Sequence, residues 1–138
     1  MRYLGMMLII LMTTAQAFAE EMETAGSVVR SAFTTQVVDR EPMDEIVSAT
    51  NDVSTIYFFT EIQEMSGKTV SHRWLYDGVV KAEVPFEIGG PRWRVWSSKS
   101  MLPGWTGRWT VQVVDENDQV LVEDHLNYDP VSELEMIE

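Results

Sequence analysis

Arg92, Arg94, Lys99 and Arg108 fall within eighteen residues that also hold Trp93, Trp96, Trp105 and Trp109, four of the chain's five tryptophans. A guanidinium offers its N–H groups as a planar fork that fits carboxylate and phosphate oxygens, and it stacks on indole rings. The chemistry open to such a set is recognition of an anionic or ring-shaped ligand. Alternation along Arg92–Lys99 puts Arg92, Arg94, Trp96 and Ser98 on one face of a strand, and Trp93, Val95 and Ser97 on the other. One reading is a ligand platform of Arg73, Arg94, Trp96 and Lys99, with Trp105 offering a stacking ring from a loop between Pro103, Gly104 and Gly107. The other is structural: Arg94 or Arg73 pairs with Glu61 or Asp77 across the sheet and helps to fix strand register. Trp105 has its own structural alternative, a lid over the open end of the core. Trp74, Trp93 and Trp109 fit strand alternation with apolar neighbours and are expected in the core.

Other chemistry finds little support. The chain has no cysteine and no glycine-flanked serine elbow. Ser97-Ser98-Lys99 resembles a serine–lysine pair, but Ser98 and Lys99 point to opposite faces, and Ser97 and Lys99 lie about 7 Å apart along a strand. His72 and His125 are too distant in sequence to form a local metal motif, and ordinary sheet histidines are expected. Asp115-Glu116-Asn117-Asp118-Gln119 invites comparison with a twelve-position calcium loop. That template places Val120 where glycine is needed and Leu126 where the closing glutamate is needed, so hairpin-turn chemistry is the better account. The expectation is a protein with no cofactor, no metal and no catalytic residue.

Ten basic against 22 acidic residues give a net charge of −12. Residues 72–109 run against this balance, with six basic and three acidic side chains. The overall field repels nucleic acid and anionic membrane surfaces, which makes both poor partners. Arg2, the apolar run Leu4–Met12 and the closing Ala17-Phe18-Ala19 read as a cleavable export signal over residues 1–19. The run is too short for a membrane span, so a periplasmic or secreted destination is expected.

The elements that must position these residues are strands. Phe33–Val38, Thr55–Ile62, Thr69–Tyr76, Val79–Ile88, Arg92–Lys99, Arg108–Val114 and Gln119–Tyr128 carry β-type patterns. Asp77-Gly78 and Asp115–Asp118 supply hairpin turns. Along Thr69–Tyr76, Val70, His72, Trp74 and Tyr76 share one face. Asp44–Thr50 has room for one helical turn. About seven short strands with regular turn signals predict an all-β, immunoglobulin-like antiparallel β-sandwich. Its expected bounds are an acidic leader over 20–30, the sandwich over 31–128 and an acidic tail over 129–138.

Several blocks together resemble one bacterial family. They are Phe33-Thr34-Thr35, Asp39-Arg40-Glu41-Pro42, Ile56-Tyr57-Phe58-Phe59-Thr60-Glu61, Gly67 with Val70–Trp74, Arg92–Lys99 and Gly107–Val111. Occurring in this order, they are similar to the domain of unknown function 2914. The resemblance implies a small β-rich module, often behind an export signal or membrane segment, and brings no activity, cofactor or catalytic residue with it. The functional expectation is a secreted, non-catalytic module that binds or assembles in the cell envelope through its cationic aromatic face. A carbohydrate-binding module is the alternative, so the expected partner is an envelope protein or a glycan.

Overall fold

The computed structural model describes residues 26–132; the expected export signal over 1–19, most of the expected leader and the end of the expected tail lie outside the described residues. Ten strands run in chain order: β1 (Ser27–Thr34), β2 (Val37–Val38), β3 (Glu41–Pro42), β4 (Ser48–Thr50), β5 (Thr55–Gln63), β6 (Thr69–Tyr76), β7 (Val79–Glu87), β8 (Arg92–Ser100), β9 (Gly107–Val114) and β10 (Val120–Asp129). No helix occurs among the described residues. The seven expected strands are β1 and β5 to β10, and the short β2, β3 and β4 are additional.

The strands form an all-β sandwich. A three-stranded sheet, in the order β1-β5-β8, faces a five-stranded sheet, β4-β10-β9-β6-β7. In immunoglobulin lettering β1, β5 and β8 correspond to A, B and E, while β6, β9 and β10 correspond to C, F and G, and β7 to C′. Strand D, which flanks E in the constant-type arrangement, has no counterpart, because only residues 88–91 connect β7 to β8.

Two local expectations change. The first long strand starts at Ser27 rather than Phe33 and ends at Thr34 rather than Val38. It is broken there because the Asp44 carboxylate accepts hydrogen bonds from the Thr35 N–H (2.8 Å), the Thr35 hydroxyl (2.6 Å) and the Thr34 hydroxyl (2.7 Å). The helical turn over Asp44–Thr50 does not form. Ile46 N–H donates instead to the Phe33 carbonyl (3.0 Å), and Ser48–Thr50 pairs in parallel with Asn127–Asp129.

Alternation places the core as expected. Ile56, Phe58 and Ile62 from β5 meet Val70 and Trp74 from β6, Trp109 and Val111 from β9, and Leu126 and Tyr128 from β10, all fully or almost fully buried. Trp74 stands on the strand that carries the buried tryptophan of immunoglobulin domains, and with no cysteine available it packs edge-on against Phe33 at 5.9 Å. The β6–β7 hairpin turns on Asp77 (φ 46°) and Gly78 (φ 81°), both left-handed as a two-residue turn of this kind demands. Gly78→Ala is therefore expected to lower stability by about 1 kcal/mol, read from the urea midpoint.

Candidate functional site

The outer face of the three-stranded sheet carries a second, polar layer. On β5, Phe59 and Glu61 point away from the core, yet Phe59 is fully buried and Glu61 is only 5% exposed. The β2–β3 hairpin brings their cover. Its turn residues Asp39 (φ 52°) and Arg40 (φ 61°) are both left-handed and neither is glycine, a conformation that costs roughly 1–3 kcal/mol per residue and persists only where the surroundings enforce it. Glu41 follows directly and accepts a forked pair of hydrogen bonds from Arg30 (2.8 and 2.9 Å) and one from Arg94 (2.7 Å). Arg94 also reaches the Arg40 carbonyl at 3.3 Å.

Glu61 takes the other guanidinium groups. Its Oε1 accepts from Arg30 and Arg92, both at 2.9 Å. The Arg30 guanidinium also lies 5.1 Å from the centre of the Phe59 ring, a cation–π contact over a buried aromatic. Hydrogen bonds from Arg30 and then Arg94 outweigh desolvation and hold the Glu41 carboxyl at about 2. Hydrogen bonds from Arg92 and Arg30 likewise lower that of Glu61, and the bond to Glu41 raises Arg30 further. All of these groups are charged at neutral pH.

Beside this layer is an open cavity of about 280 Å³ lined by Arg40, Arg92, Trp93, Arg94 and Trp96. Trp93 and Trp96 are 39% and 37% exposed, and the Arg92 side chain is 60% exposed. Arg30, Arg92 and Arg94 pair with Glu41 and Glu61, and Arg40 has no ion pair among the described residues, so these six side chains sum to +2 on a chain of −12. The groove can thus offer guanidinium N–H groups and indole faces together, the combination suited to an anionic partner.

Of the expected site residues, Arg94 and Trp96 lie in this groove and the others do not. Arg73 is on the outer face of the five-stranded sheet, ion-paired with Asp118 and 3.6 Å from Glu83. Lys99 faces the far end of the core, where its Nζ lies 5.3 Å from the Trp105 ring centre and 5.9 Å from that of Trp109. Trp105 is half-buried against the core, and its carbonyl accepts from Trp109 Nε1 at 2.9 Å, so it closes the barrel end rather than presenting a ring. Trp93 is not core: its ring covers the Gly89–Gly90 turn at the rim.

The expected ion pairs are also redistributed. Glu61 and Arg94 are register partners, but Arg94 bends to Glu41 while Glu61 is taken by Arg30 and Arg92. Asp77 forms the hairpin turn and has no ion pair among the described residues. Arg92, which alternation put on the face of Arg94 and Trp96, was not counted in the platform, and Arg30, Arg40 and Glu41 were the residues that alternation could not assign to the site. The one signal for them is the Asp39-Arg40 pair between Val37-Val38 and Glu41-Pro42, which has the spacing of a two-residue hairpin.

Between the layers runs a buried polar tie. Trp74 Nε1 donates to Ser97 Oγ (3.0 Å), Ser97 Oγ is 2.7 Å from His72 Nδ1, His72 Nε2 is 2.9 Å from Thr60 Oγ1, and Thr60 Oγ1 donates to the Val95 carbonyl (3.3 Å). Only one arrangement satisfies every donor: the Ser97 hydroxyl donates to Nδ1, and a neutral His72 donates from Nε2. Burial drives the His72 pKa down to about 3, which agrees with that neutral ring. Ser97 and His72 are 6% and 0% exposed, and neither lines the groove.

A second cleft of about 420 Å³ lies between β1 and β10, lined by Ile46, Glu45, Glu123, Asp124 and His125 among others. No group of three or more His, Asp or Glu side chains among the described residues is placed to hold a metal ion. No helix of the described residues is long and apolar enough to cross a membrane. No curated protein matches the chain. Residues 67–125, from just before β6 into β10 and including the whole of β8, match the model of the family described as protein of unknown function (DUF2914), the family that the quoted blocks resemble.

Proposed function

We propose that the domain is a non-catalytic binding module of the cell envelope that recognises an anionic partner through the groove between the β2–β3 turn and β8. The carrying observation is the groove's composition: Arg40, Arg92 and Arg94 beside two part-exposed tryptophans, on an otherwise acidic chain. Two features support a site rather than a solvated face. Arg94 is held by Glu41 and by the Arg40 carbonyl, so its orientation is set before a ligand arrives. Arg40 is kept in a costly left-handed conformation at the groove's rim, and such conformations cluster where a side chain must be aimed.

A glycan is the second reading, favoured by the presence of Trp93 and Trp96 in one cavity, since indole faces stack on sugar rings. The test is a tryptophan-fluorescence titration with acidic peptides and acidic oligosaccharides. Saturable binding is expected to weaken about tenfold in Trp96→Ala, corresponding to about 1.4 kcal/mol, with unchanged thermal stability. Binding that survives Trp96→Ala and Arg92→Ser together places the site elsewhere.

A further inference from the structure

Building on that reading, we propose that the partner is an extended peptide with alternating acidic and apolar side chains, and that it adds to the free edge of β8 in the position of strand D. The argument starts from the edges. Among the described residues β8 pairs with β5 alone, over nine residues in unbroken register from Arg92↔Gln63 to Ser100↔Thr55. Its other side leaves a row of backbone N–H and C=O groups without a strand partner.

Natural edges are normally blunted by proline, bulges, charges or a covering loop. The other long edges of the sandwich are. β1 has a register shift between Val28 and Arg30, and Ile46 bridges it at Phe33. β7 carries Pro85, with exposed Lys81, Glu83 and Glu87. β8 has no proline and no register shift, and its charges, Arg92, Arg94 and Lys99, are all of one sign, so they repel another cationic edge but not an acidic strand.

The surroundings of that edge define what fits. Ser97 of β8 bonds His72 and Trp74 of β6, so β8 faces β6, and the inner face of β7, the next strand, lies opposite the position an added strand would take. That face presents Ala82, Val84 and Phe86, all only half-buried. On the outer face of β8 stand Arg92, Arg94 and Trp96. Side chains of a strand alternate between faces. An added strand therefore sets every second residue over Ala82, Val84 and Phe86, and the intervening ones beside Arg92 and Arg94. The first set is matched by apolar side chains and the second by carboxylates. A second copy of this chain is a poorer occupant, because its own β8 would bring like-charged Arg92 and Arg94 to the same interface.

The test uses a fluorescein-labelled peptide of alternating glutamate and valine, seven residues long, added to the full chain. Fluorescence polarisation is expected to show saturable binding. A peptide of the same composition with all glutamates preceding the valines is expected to bind at least tenfold more weakly, as is the alternating peptide N-methylated at every residue. Amide hydrogen exchange is expected to slow at alternate residues of Arg92–Ser100 when the peptide is bound. Equal binding of the alternating, block and N-methylated peptides, with unchanged exchange along β8, would overturn strand addition and leave anion recognition standing. Failure of every acidic peptide and acidic oligosaccharide to bind would overturn both. Self-association without peptide, protecting the same β8 amides, would assign the edge to a second copy instead.

Discussion

Acidification from neutral to about pH 5 is expected to remove about 2 kcal/mol of folding stability through His72 alone. The ring is buried and neutral in the fold, with a pKa near 3 against 6.5 for an ordinary histidine. Below pH 6.5 the unfolded chain therefore binds a proton that the folded chain refuses. The contribution is fully present above 6.5 and is lost progressively as pH falls towards 3. Carboxylates act in a different window. Glu41 and Glu61 are stabilised as anions, so their contribution is present above about 4.5 and is lost as pH falls below it. Between pH 6.5 and 5 the histidine is thus separable. Urea denaturation of the wild type and His72→Gln across this window is the measurement. The stability difference between the two proteins should shrink as pH falls; a pH-independent difference would refute the neutral, buried assignment.

The second large effect is expected at Glu61. Glu61→Ala should lower stability by about 2 kcal/mol, and by clearly more than Glu41→Ala does. Both carboxylates receive two arginines, and burial separates them: 7% against 43% side-chain exposure. Without Glu61, the sheet loses two charge-assisted hydrogen bonds and the packing of a side chain that is itself only 7% exposed. Without Glu41, Arg30 keeps Glu61, and water takes the place of a carboxylate that was already 43% exposed. Equal losses in the two variants would mean that exposure does not govern this network. Glu41→Ala should also release Arg94 and weaken binding at the groove more than it weakens the fold, a separation that paired stability and polarisation measurements resolve.

How much of this was legible depends on the range of each interaction. Alternation along Thr69–Tyr76 placed Val70, His72 and Trp74 inward, and alternation along Arg92–Lys99 placed Arg94 and Trp96 outward, because a strand's faces are a local property. The Asp77-Gly78 turn was legible for the same reason. Partners were not. Glu41 reaches Arg94 across fifty-three residues, and no local pattern records that the β2–β3 hairpin folds back over the outer sheet. Trp93 alternated correctly yet lies at a strand end beyond the opposing layer, so an inward direction did not mean burial. Trp105 looked presented because glycine and proline surround it, but the cation and ring already beneath it, Lys99 and Trp109, draw it down. His72 read as an ordinary sheet residue, since its partners Thr60 and Ser97 come from the other layer.

The parallel ladder between Ser48–Thr50 and Asn127–Asp129 also sets an order of events. It joins Ser48 to Asn127, seventy-nine residues further along the chain, and β10 is at once the neighbour of β9 and the anchor of β4. A nascent chain that stops before Val120 lacks Leu126 and Tyr128 and leaves Trp109 with one flank of its sheet missing. Such sequence-distant pairing must meet its loop-closure cost before it gains contacts, which makes closure slow. The sandwich therefore closes only once β10 has been made and is free to pair with both β9 and β4.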